Sequence, residues 1–123
     1  MQIYESAEDY LEAVLALREQ HGTVRSIDVA TELGVSRPSV SIAMKKLREN
    51  GYISMEEGNI VLLPEGEAIA RRIYERHKVL SGFFVRLGVD QATAVANACK
   101  VEHDLSQQTF DRIKEFINTL PKD

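Results

Sequence analysis

The chain is poor in several things, and each shortage narrows what it can be. Its 123 residues include one cysteine, no tryptophan, three prolines and 7% aromatic residues. A single thiol cannot close an internal disulfide, which suits a reducing compartment, so the cytoplasm is the expected location. No apolar run approaches the roughly 20 residues needed to cross a bilayer, so no membrane partner is expected. The start, Met1-Gln2-Ile3-Tyr4-Glu5, has neither the basic opening nor the long apolar stretch of a secretory signal. There is no internal repeat and no low-complexity segment. What is present is 44% hydrophobic and 28% charged sequence, enough for one or two small packed units.

The net charge of −4 at first argues against nucleic acid as a partner. Its distribution argues otherwise. Between Ser36 and Arg48 stand four basic residues (Arg37, Lys45, Lys46 and Arg48) and no acidic one, so the rest carries −8. A basic stripe on an acidic body can still bind DNA through the stripe.

The periodicity predicts a mainly α chain. Ser6 is expected to cap a first helix, with Asp9 completing a capping-box-like pattern and Leu11, Val14 and Leu15 forming the apolar stripe. Arg25 or Ser26 opens a short helix with Ile27, Ala30 and Leu33 inward, and Gly34 breaks it. Ser36 caps the next helix, where Pro38 fits the first turn and Val40, Ala43, Met44 and Leu47 face inward. Two β-prone runs, Tyr52 to Met55 and Ile60 to Leu63, flank a hairpin turn at Glu56-Glu57-Gly58-Asn59. A long helix follows from Pro64, with Ile69, Ile73, Leu80, Phe84 and Leu87 as its stripe. Asp90 caps another, expected to run to about Leu105, and Ser106 caps the last, with Phe110, Ile113, Ile117 and Leu120 on one side. The expected organisation is a winged helix-turn-helix over residues 1–63, with a small β-hairpin wing, and an all-helical dimerisation domain over 64–123.

Ala30, Gly34, Val35, Val40 and Leu47 sit at the offsets of a helix-turn-helix. A small residue lets two helices cross closely, and glycine supplies the positive φ of a tight turn. On the second helix the exposed positions are Arg37, Pro38, Ser39, Ser41, Ile42, Lys45 and Lys46. Pro38 and Ile42 can touch thymine methyls, and Ser39 can hydrogen-bond a base or a phosphate. Arg25, Ser36, Arg37, Lys45 and Lys46 complete the candidate DNA-binding set, the cations as phosphate contacts that position rather than specify. The acidic wing tip at Glu56 and Glu57 is a poor phosphate contact.

Cys99, Glu102 and His103 fall at i, i+3 and i+4, so on a helix they share a face. A thiol, a carboxylate and an imidazole converging on one spot make a poor core and a good transition-metal site. Asp9 and Glu12 share a face of the first helix, and His77 lies on the stripe of the long one. Taken singly, Asp9 could be a capping residue, Glu12 a surface charge, His77 a core histidine and Cys99 a small buried hydrophobe. Together they offer six ligand-capable groups from three helices, with Mn²⁺ or Fe²⁺ as the expected ion and Co²⁺ or Zn²⁺ as ions that could also bind.

The start Glu8-Asp9-Tyr10-Leu11-Glu12, the segment Val35-Ser36-Arg37-Pro38-Ser39-Val40-Ser41, the pair Arg76-His77 and the block Ala98 to Ser106 resemble the diphtheria-toxin-repressor and manganese-transport-regulator family over nearly the whole chain. The resemblance implies a homodimeric winged-helix repressor that binds double-stranded operator DNA when loaded with Mn²⁺ or Fe²⁺, dimerises through its C-terminal helices and is not an enzyme. It places Asp9, Glu12, His77, Cys99, Glu102 and His103 at ligand positions. Asp9 and Glu12 look like the manganese branch; Cys99 looks like the iron branch. Ser81 and Val95 stand where the iron branch has ancillary ligands, and the extra C-terminal domain of that branch is expected to be missing.

The expected switch follows from charge. Asp9, Glu12 and Glu102 repel one another until a cation binds. Ion binding then sets two recognition helices about 34–36 Å apart, one turn of DNA. Low pH should oppose loading, because thiol and imidazole ligands must lose protons. The competing expectations are a winged-helix regulator that senses a small organic ligand or redox state, and a zinc hydrolase. Neither is suggested by anything beyond the ligands themselves.

Overall fold

The computed structural model describes residues 5–121. Six helices and one hairpin follow in the order α1 (Glu5–His21), α2 (Ser26–Leu33), α3 (Arg37–Glu49), β1 (Ile53–Glu56), β2 (Asn59–Leu62), α4 (Pro64–Arg86), α5 (Gln91–Val101) and α6 (Gln107–Asn118). No helix among the described residues is long and apolar enough to cross a membrane. The chain forms two compact units that divide between Tyr74 and Glu75, within α4.

In the first unit, Leu11, Val14 and Leu15 of α1, Val29 and Ala30 of α2, and Val40, Met44 and Leu47 of α3 close on Tyr52, Ile53, Ile60 and Leu62 of the hairpin and on Ala70 of α4. Gly34 ends α2 with φ 65°, a left-handed conformation in which its N–H reaches the Thr31 carbonyl and Val35 N–H that of Ala30. Ser36 caps α3, its Oγ accepting from Ser39 N–H at 3.2 Å. β1 and β2 pair antiparallel with Glu56 opposite Asn59. The two-residue turn is therefore Glu57-Gly58, with φ of 53° and 82°, the geometry that matches the right-handed strand twist. Ile60 N–H donates to Val24 O at 2.8 Å, tying the segment before α2 to the wing.

The N-terminal half of α4 is part of this unit. A Cβ at Gly66 would stand 2.1 Å from Tyr52 O, so only glycine lets the first turn of α4 lie on that carbonyl. Two ion pairs join α1 to α4: Arg72 to the buried Glu8 at 2.7 Å, and Arg18 to Glu67 at 2.8 Å. Arg18 and then Arg71 hold the Glu67 carboxyl below the ordinary glutamate range.

The second unit holds the rest of α4 with α5 and α6. Leu80, Ala98 and Phe110 form its apolar centre, with Val79, Phe84, Leu105 and Ile113 packed against them. Asp90 caps α5, accepting from Thr93 N–H and Oγ1, which lowers its carboxyl below the usual aspartate value. Ser106 caps α6 in the same way, accepting from Thr109 N–H at 3.1 Å.

Four expectations are corrected. α1 already contains Glu5 and Ser6, so Ser6 is not its cap and Asp9 is not half of a capping box with it. Ile27 is 45% exposed, because α2 turns Val29 and Ala30 inward instead. Leu87 is 65% exposed, since α4 ends one residue earlier. α5 stops at Val101 rather than near Leu105. There the Arg76 guanidinium takes the Glu102 and Leu105 carbonyls, which stabilises the turn that replaces the last helical turn.

Candidate metal centre and nucleic-acid face

The second unit gathers three of the expected ligands. His77 comes from α4, Cys99 from the last turns of α5, and Glu102 is the residue at which α5 ends. One donor atom from each lies within 4.8 Å of the others. His77 Nδ1 is 3.0 Å from Glu102 Oε2 and 3.8 Å from Cys99 Sγ. His103 follows in the turn, its Nε2 3.6 Å from Glu102 Oε1. The i, i+3 spacing brings Cys99 and Glu102 to one side of the chain, Glu102 keeping α-helical φ and ψ at the C-cap of α5. His103 reaches the same carboxylate from the turn instead.

Glu102 is the unusual member. It is completely buried, and a buried carboxylate is costly unless it is paired and fully hydrogen-bonded. Oε2 faces His77, but Oε1 has no hydrogen-bond partner among the described residues. A divalent ion supplies what that oxygen lacks. The donor set of thiolate, imidazole and carboxylate suits a transition ion rather than Ca²⁺ or Mg²⁺. The residues present fit the group.

Asp9 and Glu12 lie in the first unit, one turn apart on α1, both half-buried. Ser81 Oγ donates to His77 O at 2.7 Å, so its hydroxyl supports the α4 backbone one turn from the ligand.

The nucleic-acid candidates belong to the first unit. Arg37, Pro38, Ser39, Ser41, Ile42, Lys45 and Lys46 are all exposed on α3, with Ile42 at 60%. The cap residue Ser36 is exposed beside them, its Oγ 2.8 Å from that of Ser39. Lys45 lies 4.0 Å from Glu49, a solvated pair that leaves the ammonium available. Arg25 ends the segment before α2, and its guanidinium lies against Gly58, 2.8 Å from where a Cβ would stand. It therefore belongs to the wing turn as well as to the start of α2.

Two buried charged residues were given no role by the sequence argument. Arg76 is 5% exposed and grips the turn that carries Glu102 and His103. Its only signal was a charge on the apolar side of a helix. Glu8, 7% exposed, is paired with Arg72 across 64 positions of sequence, a separation that hides such pairs from local reading.

The chain matches two family models end to end. Residues 2–59 match the iron-dependent repressor N-terminal DNA-binding domain, and residues 63–123 match the iron-dependent repressor metal-binding and dimerisation domain. The transcriptional regulator MntR of Salmonella typhimurium is 37% identical over 113 residues, covering 91% of this chain and 72% of that protein. The chain belongs to the diphtheria-toxin-repressor and manganese-transport-regulator family. This family is one of metal-dependent, DNA-binding transcriptional repressors. An uncharacterised helix-turn-helix-type regulator of Methanocaldococcus jannaschii is 35% identical, covering 92% of this chain and 93% of that one. Among solved structures, a manganese-dependent transcriptional repressor in complex with manganese superposes with a TM-score of 0.82 at 28% identity, over 95% of this chain. The chain spans 55% of the length of that solved protein. The winged-helix architecture with a helical second half is thus shared with the family.

Proposed function

We propose that this chain is a transcriptional repressor whose binding to operator DNA is switched on by one divalent transition ion held at His77, Cys99, Glu102 and His103, with Asp9 and Glu12 adding carboxylates. The observation that carries the reading is the sealed Glu102 carboxylate, one oxygen turned to His77 and the other without a hydrogen bond. The support for Asp9 and Glu12 is their spacing on α1 and the loss of the capping explanation for Asp9. Mn²⁺ and Fe²⁺ are the intended ions; the mixed donors also accept Co²⁺ or Zn²⁺. A bound dication supplies positive charge that offsets the carboxylates and fixes the donors in one arrangement.

The chain's own residues then act in two places. Arg37, Lys45 and Lys46 on α3, with Arg25 at the wing turn, bind phosphates of a duplex, while Ser36, Pro38, Ser39, Ser41 and Ile42 face base edges. Val85, Leu87 and Phe116 are exposed apolar residues of the second unit, 45%, 65% and 57% accessible, and a second copy of the chain covers them. The functional division is residues 1–63 for DNA and 64–123 for metal and dimerisation. The role is regulatory rather than catalytic, and it is exercised in the cytoplasm, where the single thiol stays reduced.

The test uses duplex DNA selected in vitro by the chain in the presence of Mn²⁺, under anaerobic conditions. Affinity for the selected duplex is measured with Mn²⁺, Fe²⁺, Co²⁺, Zn²⁺ and chelator. The reading expects a gain of about 100-fold with the activating ion, equivalent to about 2.7 kcal/mol of coupling. DNA binding that ignores chelator would refute it.

A further inference from the structure

We propose that Arg76 is the positioning residue of the metal centre, acting by gripping the peptide turn that carries Glu102 and His103. The proposal rests on the metal reading above and adds a residue that donates nothing to the ion itself.

Arg76 is adjacent to His77 on α4 and points into the second unit, where it is 5% exposed. Its Nη1 donates to Glu102 O at 3.1 Å and to Leu105 O at 2.7 Å, and its Nη2 donates to Gln107 Oε1 at 3.1 Å. The guanidinium carbon lies over the Phe110 ring, 5.3 Å from its centre. One planar group thus touches both ends of the Glu102–Leu105 turn and the first turn of α6.

The placement has a chemical consequence. α5 ends at Val101, and the helical ladder closes with Glu102 N–H donating to Ala98 O at 3.0 Å, so the peptides that follow, from Glu102 O through His103, run on as a turn. Without an external donor, the carbonyls at that end would lack partners. Arg76 supplies the donors, and a rigid fork fixes their directions as well as satisfying them. Because the same helix presents His77 one residue later, the position of one ligand and the backbone of two others are set by neighbouring residues of α4. A centre preorganised in this way binds its ion without first ordering the turn. Phe110 and Gln107 contact the guanidinium from the α6 side, so they belong to the same device.

Co²⁺ titration of the full-length chain, followed by its absorption spectrum, tests this directly. Three variants are compared: Arg76→Gln, Arg76→Lys and Gln107→Ala. Arg76→Gln is expected to weaken Co²⁺ binding by about 10–100-fold, the usual cost of losing a group that orients ligands. Arg76→Lys should not restore it, because one ammonium cannot span two carbonyls and Gln107. Gln107 is exposed, so Gln107→Ala folds in any case, and it should weaken binding by a smaller factor. Ile113→Ala serves as a control: it lowers the melting temperature of the same unit but leaves the turn held, so Co²⁺ affinity should stay within about twofold of the unmodified chain. Full affinity in Arg76→Lys and Gln107→Ala, or a loss in Ile113→Ala equal to that in Arg76→Gln, would overturn the proposal while leaving the metal reading intact. Failure of the unmodified chain to bind Co²⁺ would overturn both.

Discussion

In the winged unit, sixteen apolar side chains from α1, α2, α3, β1, β2, the start of α4 and the loop positions Val24 and Tyr52 close on one another. In the helical unit, the apolar centre comprises Leu80, Ala98 and Phe110, and two of the sealed side chains beside it are Arg76 and Glu102. The first arrangement is a core that stabilises a reading head mainly by apolar burial, with the Arg72–Glu8 and Arg18–Glu67 ion pairs beside it. The second has a smaller apolar centre bordered by buried polar groups and leaves Val85, Leu87 and Phe116 exposed. A unit of that kind gains much of its stability from what binds it, and that dependence is what allows an ion and a second copy to control it.

The contrast can be attacked most strongly through the winged core. Leu47→Ala should destabilise that unit by about 2–5 kcal/mol, with no recovery when ions are added, because the side chain is 2% exposed and its loss leaves a cavity. Chemical denaturation with and without Mn²⁺ measures both parts. Melting of the helical unit should instead depend on the ion, gaining about 2.7 kcal/mol at 100 times the dissociation constant. A denaturation series over Mn²⁺ concentration checks this, and equal ion dependence in both units would erase the distinction.

Glu102→Gln comes next. It keeps the shape of the buried side chain and removes its charge, so operator affinity in saturating ion should fall to the metal-free level, a loss of about 100-fold read by fluorescence anisotropy. Lys45→Ala and Lys46→Ala belong to the other unit and should leave ion binding alone. Each should weaken binding to all duplex sequences alike and reduce the salt slope by about one, as measured by anisotropy across a salt series. A loss confined to one base position would show that these residues read sequence.

The smallest effect concerns pH. Glu67 is held low in the folded state by Arg18 and Arg71, so the stability it confers is complete above the ordinary glutamate value of about 4.3 and is lost as pH falls through the lower folded value. Arg18→Gln should flatten the acid limb of the winged unit's stability curve, observed by thermal melting between neutral and acidic pH, by lowering the neutral value slightly and leaving the acidic value nearly unchanged. Both partners are about one-third exposed, which keeps the effect small.

The same comparison explains what could be read from the chain. Ser36, Pro38 and the Val40–Met44–Leu47 stripe marked α3 because capping and helical period are local rules. Glu57-Gly58 marked the wing because only a few residue pairs accept two positive φ angles. On α2 the spacing placed Ala30 and Leu33 against the core correctly but not Ile27, since local period does not fix how far the apolar side turns; tertiary packing chose Val29. In the helical unit, the i, i+3, i+4 spacing found Cys99, Glu102 and His103 but overran the end of α5. The Glu102 carbonyl where that helix ends is taken by Arg76, 26 residues earlier in sequence, and no local pattern carries such a contact.

The account rests on ion occupancy and DNA binding being one event, and both can be followed on a single anaerobic sample. Co²⁺ is titrated into the chain with labelled selected duplex present, and cobalt absorption and duplex anisotropy are recorded together. The account predicts that the two curves rise with the same midpoint and that Glu102→Gln abolishes both. Cobalt absorption that saturates while anisotropy stays flat, or anisotropy already maximal in chelator, would contradict it.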